Sequence, residues 1–175
     1  MQRTTRVSVS KTKKKAMVKY GKVTSDKPVH ILLKMRSESG QTIQAHADMI
    51  GRKGAALLGK MGEAVGPATC DLLKQQIQSG VKTYLFLTLR EGWNGPFVTY
   101  RCSLRYIYDS LIAGKNTLVP TYYGWDTGNI KTWFEITSID RLSREQMNRL
   151  FVVSSGREIM SVVSSSATVF RVAVR

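Results

Sequence analysis

Val81-Lys82-Thr83-Tyr84-Leu85-Phe86-Leu87-Thr88-Leu89-Arg90-Glu91, then Gly92-Trp93-Asn94-Gly95-Pro96, then Phe97-Val98-Thr99-Tyr100-Arg101-Cys102-Ser103-Leu104-Arg105-Tyr106-Ile107-Tyr108 is the most strongly patterned stretch of the chain. In the first run Val81, Thr83, Leu85, Leu87 and Leu89 fall on one face. Lys82, Tyr84, Phe86, Thr88 and Arg90 fall on the other. In the second run Val98, Tyr100, Cys102, Leu104 and Tyr106 oppose Thr99, Arg101, Ser103 and Arg105. Side chains alternate across a strand, and Gly, Asn and Pro supply the turn, so these residues predict an antiparallel hairpin.

Working outward, His30-Ile31-Leu32-Leu33-Lys34-Met35 is a short apolar run that reads as the first core strand, broken by Ser37-Glu38-Ser39-Gly40. Residues 41–80 read as short helices. Ile43, Ala47, Ile50, Leu57, Leu58 and Met61 recur at helical spacing between repeated glycines. Thr69 is the expected N-cap of the last of them and Gly80 its stop. Beyond the hairpin, residues 115–129 form a loop rich in turn formers and aromatics, and residues 132–139 another strand. Ser143-Arg144-Glu145-Gln146 has capping-box spacing, residues 156–164 suit a short helix, and residues 168–175 alternate again. The expected fold is α+β: five or six strands in a small, curved, mainly antiparallel sheet or barrel, with short helices inserted early and late.

The formal net charge is +15 over 175 residues, with 42% of residues hydrophobic. Residues 1–36 hold eleven basic residues against one acid, Asp26, a net +10 that leaves +5 for the other 139. The expected organisation is a basic flexible arm over residues 1–27 and one domain over 28–175. Such an arm suits a polyanion, whose condensed counterions are released when lysine and arginine neutralise its phosphates. Nucleic acid, DNA or RNA, is therefore the expected partner. Lys13, Lys14 and Lys15 of the arm, with Arg90, Arg101, Arg105 and Lys131 of the domain, are the phosphate-binding candidates.

Cys70 and Cys102 form no CxxC, and His30 and His46 have no ligand spacing. Neither a metal nor another cofactor is expected, and reduced thiols suit a cytoplasmic protein. No secretory signal and no run of ~18 apolar residues is present, so no membrane is expected as a partner. Gly54-Ala55-Ala56-Leu57-Leu58-Gly59-Lys60 matches a phosphate loop until Met61, which has no hydroxyl for magnesium. Glu135, Asp126 and Asp140 match no catalytic spacing. The serines at 154, 155, 164, 165 and 166 have no histidine near them in sequence. No catalytic residue is assigned.

The large aromatics are the remaining signal. Trp93 sits at the hairpin turn, Tyr122, Tyr123 and Trp125 in a glycine-punctuated loop, and Trp133 at the start of the next strand. Flat rings beside basic side chains are what base stacking requires, so these five are the stacking candidates.

Element order carries a resemblance. A helical stretch ends in Leu72-Leu73-Lys74-Gln75-Gln76-Ile77-Gln78-Ser79-Gly80 and leads into Val81-Lys82-Thr83-Tyr84-Leu85-Phe86-Leu87. The hairpin follows, and then Lys131-Thr132-Trp133-Phe134-Glu135-Ile136-Thr137-Ser138-Ile139. This layout, over residues 28–175, is similar to the PUA-like superfamily and within it to the EVE and YTH-like modules of modification-dependent restriction systems. The resemblance implies a pocket between the barrel strands that takes a flipped nucleotide, with modified bases among its ligands. Trp125, Tyr123, Tyr122 and Trp93 would sandwich it, and Asn94 and Asp126 would read its edge. It also implies a role in restriction or phage–host conflict. Two rivals stand beside this reading: a small RNase-like nuclease on a related fold, and an interaction protein that docks on a ribosome or an acidic protein partner.

Overall fold

A computed structural model of the chain describes residues 27–36 and 40–175, and of Trp125 and Asp126 the backbone only. The expected arm, with Lys13, Lys14 and Lys15, falls outside the described residues up to residue 26.

The hairpin forms as its alternation predicts. Strands β3 (Tyr84–Arg90) and β4 (Phe97–Tyr108) pair antiparallel from Tyr84 opposite Ser103 to Arg90 opposite Phe97. The Glu91 N–H donates to the Pro96 carbonyl at 3.0 Å to close the turn. A side chain at Gly95 would lie 1.6 Å from the Glu91 carbonyl oxygen, so only glycine fits there.

Around the hairpin, β1 (His30–Lys34), β2 (Ala56–Gly59), β5 (Trp133–Ile136), β6 (Asp140–Arg141), β7 (Leu150–Val152) and β8 (Val169–Val174) complete an eight-stranded mixed sheet. The order is β2-β5-β4-β3-β1-β8-β7, with β6 added to β4. Only β1 and β3 run parallel; the other pairings are antiparallel. The fold is α+β. The strand path ends at β2 and at β7, so the expected barrel is not closed.

Four helices, α1 (Gly40–Lys53), α2 (Pro67–Gln78), α3 (Arg144–Asn148) and α4 (Ile159–Val162), lie against this sheet. The first runs through Gly51 as one helix and buries Ile43, His46 and Met49, three residues apart. The second starts at Pro67, not after Thr69. Proline is preorganised for the first helical position, where its missing N–H would have no partner. It ends in a Schellman motif: Gly80, at φ 75°, donates to the Ile77 carbonyl and Val81 to that of Gln76. The capping box of α3 is present, with the Ser143 hydroxyl and the Gln146 side chain each accepting from the other's backbone N–H.

The sequence reading differs most over β2. Residues 55–58, expected in a helix, are consecutive buried residues because both faces of their strand are covered. Leu58 joins the core beneath α1 and α2, while Leu57 joins a cluster on the opposite face. A doubly buried strand has no polar face to alternate. The same holds for β3, whose residues from Leu85 to Leu89 are all buried.

One sheet face carries the larger core: Ile31, Leu33, Leu85, Leu87, Cys102 and Phe134 under α1 and α2. Among the described residues, the second face is covered at its two ends. At one end α3 and α4 pack on Leu32, Phe86, Phe170 and Val172. At the other, the segment carrying 3-10 turns at Asn116–Leu118 and Thr121–Asn129 packs on Leu57 and Trp133. Among the described residues no helix is long and apolar enough to cross a membrane.

Candidate nucleic-acid interface

Between those two covers the second face opens into a cleft of about 450 Å3. Its floor is His30 of β1 with Tyr84 and Phe86 of β3. Its wall is Leu142, Gln146 and Leu150 around α3, and Val174 of β8. Four cations line it: Lys27 just before β1, Lys82 just before β3, Arg101 of β4 and Arg149 after α3. Arg101 lies directly opposite Phe86 across the hairpin, hence on the same face, with its guanidinium carbon 5.3 Å from the Tyr84 ring centroid. Arg149 pairs with Glu145 at 3.1 Å, an exposed i,i+4 contact that leaves it available to an anion. Lys27 Nζ donates to the Val174 carbonyl at 3.4 Å. Among the described residues no carboxylate lines the cleft. Asp140 lies opposite Arg101 across the β4–β6 pairing and Glu145 pairs with Arg149, and the four cations outnumber them at this mouth.

His30 adds no charge to this cleft. Burial drives its pKa down to about 4, and its Nδ1 accepts from the Tyr84 N–H at 3.3 Å, which leaves a neutral ring. The ring meets Tyr84 and Phe86 edge-on, at 5.1 and 5.9 Å between centroids.

A second group of charged residues lies further along the same face. Glu135 of β5 is 1% exposed and accepts from the Tyr108 hydroxyl at 2.6 Å, Lys115 Nζ at 2.6 Å and Arg105 at 3.2 Å. Burial pushes its pKa up. The hydrogen bonds from Lys115 and Tyr108, with the charges of Lys115 and Arg105, outweigh that and hold it below the usual value. A carboxylate with three donors is satisfied and is not poised to take a proton from a substrate. The hydrogen bond to Glu135 in turn raises the pKa of Lys115.

The expected site residues divide among separate places. Trp93 is 88% exposed at the hairpin turn beside exposed Asn94. Arg90 stays nearby with its guanidinium 4.6 Å from the Phe97 ring. That tip lies six strand residues, about 20 Å, from Tyr84. Tyr122 is half-exposed and stacks on Tyr123 at 4.4 Å. Tyr123 is only 7% exposed. Its hydroxyl accepts from the Gly59 N–H at 2.7 Å and donates to the Gly59 carbonyl at 3.3 Å. Trp133 is 0% exposed, 5.3 Å from Tyr123. Both rings belong to the core, and neither has a free face for a base. Lys131 is exposed near them, and Arg105 is held by Glu135. The side chains of Trp125 and Asp126 lie outside the described residues. Of the expected residues whose side chains are described, the structure brings Arg101 alone into the cleft.

The chemistry that the sequence left unassigned also disperses. Glu135 is enclosed, while Asp140 is exposed on β6. Gly54, at φ 77°, stops α1, and the residues after it enter β2, so the phosphate-loop-like run is a helix end and an edge strand. Five serines, at 154, 155, 161, 164 and 165, line a shallow depression with Arg157, where no histidine accompanies them. Cys70 and Cys102 are buried free thiols, and burial raises the pKa of both.

Lys27, Lys82, Arg149 and Tyr84 were not among the expected residues. A signal existed for two of them: Lys82 and Tyr84 share a face in the alternation of residues 81–91, and antiparallel pairing sets Arg101 beside that face. No local pattern announces Lys27 or Arg149, which arrive from remote segments. No family model, curated protein or solved structure matches this chain.

Proposed function

We propose that the protein binds nucleic acid through the cleft on the second sheet face, helped by the basic segment that leads into it. The observation that carries this reading is four cations around an aromatic floor, with no carboxylate among the described lining residues. The chain reaches the rim of that cleft at Lys27, directly after 26 residues holding eight of its basic side chains. Phosphates neutralise clustered cations, and the half-buried Tyr84 ring offers a face to a base, while Phe86 and His30 are buried beneath it. Cleft and leading segment thus act on one ligand, the segment adding affinity that depends on salt but not on base sequence.

A PUA-like or EVE-type relationship, and with it a modified base as ligand, belongs to this proposal. The order of helix, hairpin and Trp133-Phe134 strand supports it, and the open strand path is where this sheet departs from a closed barrel. Two buried free thiols fit a reducing compartment such as the cytoplasm.

Fluorescence anisotropy with labelled DNA and RNA tests the reading. Lys82→Gln with Arg101→Gln should weaken binding at least tenfold. Arg52→Gln with Lys53→Gln removes the same charge at the end of α1, which packs on the opposite face, and should change affinity far less. Equal losses from the two pairs would mean that total charge matters and the cleft does not.

A further inference from the structure

The cleft does not end at Arg101. Three features continue it along β4. First, the pairing of β4 with β5 slips between Leu104 and Tyr106: Leu104 faces Ile136, and Tyr106 already faces Glu135. Strict alternation from Cys102 and Leu104 would point Tyr106 into the core under α1 and α2. The bulge turns it to the second face, where it is 51% exposed. Second, cations meet tyrosines at two places along this face, Lys115 lying between Tyr106 and Tyr108, 5.6 Å from the latter's ring centroid. Arg101 lies 5.3 Å from the Tyr84 ring centroid, and Lys115 lies 5.9 Å from that of Tyr106. Third, the ground between the two pairs is low and polar. Ser103 and Ser138 meet there, hydroxyl to hydroxyl at 2.9 Å, and no bulky side chain of β4 intervenes on that face. Arg105 stands over the same stretch, half-exposed even while it contacts Glu135.

Resting on the function proposed above, we infer that the ligand is a single strand laid along β4 from the cleft to Tyr106, with Tyr84 and Tyr106 as two base-stacking platforms. Five strand residues separate Arg101 from Tyr106, about 16 Å, room for a few extended nucleotides. Lys82 and Arg101 hold the strand at one end, and Arg105 and Lys115 at the other. Glu135 puts no negative surface in its path, because it is enclosed and capped by donors. A duplex does not fit this arrangement: its base faces are stacked on one another, and rings set between cations can be reached only by unstacked bases.

The test is anisotropy on the full chain with a labelled oligothymidylate, an oligouridylate and a duplex of equal length at one salt concentration. Both single strands should bind more tightly than the duplex. Tyr106→Ala should weaken single-strand binding roughly 5- to 150-fold, the range for loss of one stacked base, while Tyr106→Phe keeps the ring and the affinity. Because Tyr106 is exposed, its substitution should leave the melting temperature unchanged, which separates lost stacking from lost folding. Equal or tighter duplex binding, or Tyr106→Ala within about twofold of the parent, overturns the single-strand track. In that case the cleft still stands if Lys82→Gln with Arg101→Gln weakens binding. No binding to any of the three at low salt ends both proposals.

Discussion

Two aromatic regions lie on one sheet face, and they differ in how their polar atoms are satisfied. Near β2 and β5, the Tyr123 hydroxyl is used up on both backbone groups of Gly59, and its ring is packed against Trp133. A side chain on Gly59 would come within 2.9 Å of Ile130 and Trp133, so the packing there admits no slack. Near α3, Tyr84 lies over buried His30 among the cleft's four cations and is itself only half-buried. Rings enclosed by other side chains, as Tyr123 and Trp133 are, serve stability. Partly exposed rings beside cations, as Tyr84 and Tyr106 are, are available to a ligand. Position in a loop or a strand does not decide between these outcomes: Tyr123 is in a loop and sealed, while Tyr106 is in a strand and exposed.

Trp133→Ala should expose the largest contrast. Truncating a fully buried tryptophan costs about 3–5 kcal/mol, read as the shift in a urea midpoint. Trp133→Phe should cost less, because the indole N–H has no partner and its removal leaves nothing newly unsatisfied. A loss near zero for Trp133→Ala would dissolve the distinction between the sealed and open regions.

Acid should act on the open region next. His30 is neutral in the fold, with its pKa lowered from 6.5 to about 4 by burial. The unfolded chain therefore takes up its proton first as pH falls. The stability that His30 contributes is complete above about 6.5 and is lost as pH drops toward 4, on the order of 3 kcal/mol in total. His46 shifts in the same direction through burial, and Glu135 adds a further loss below its ordinary range. Melting temperature against pH should thus fall through this window, and His30→Gln should flatten part of the slope. A bound oligonucleotide should flatten it too, since phosphate beside His30 favours the charged ring. If the oligonucleotide leaves the profile unchanged, the strand does not occupy the cleft.

Tyr123→Phe is smaller and sharper. It keeps the ring but leaves the Gly59 N–H without its acceptor, at a cost of about 1–3 kcal/mol, again by urea unfolding. Trp93→Ala should be the smallest, within ~0.5 kcal/mol of the parent in stability and unchanged in oligonucleotide affinity, because the hairpin tip stands away from the cleft. A loss of affinity there would add the tip to the site.

Much of the scaffold was legible because its signals are local. The hairpin alternates, the Ser143 box caps α3, and Gly80 ends α2. What escaped depends on neighbours in space. Residues 56–59 look helical until β5 covers them, and Asp140–Arg141 and Leu150–Val152 are too short to show a period. The cleft escaped for the same reason. Its cations come from positions 27, 82, 101 and 149 and meet only after β1, β3, β4 and α3 have assembled. Aromatics in loops look exposed in the sequence, yet a bulge inside a strand is what turns Tyr106 outward.

The cleft's cations are held to neutralise phosphates, and the salt dependence of binding measures that directly. Plotted as log affinity against log salt, the Lys82→Gln, Arg101→Gln protein should have a slope shallower than the parent's by roughly 1.4–1.8, two phosphate contacts' worth. A slope identical to the parent's would mean that neither side chain meets a phosphate, and the account of this cleft would be wrong.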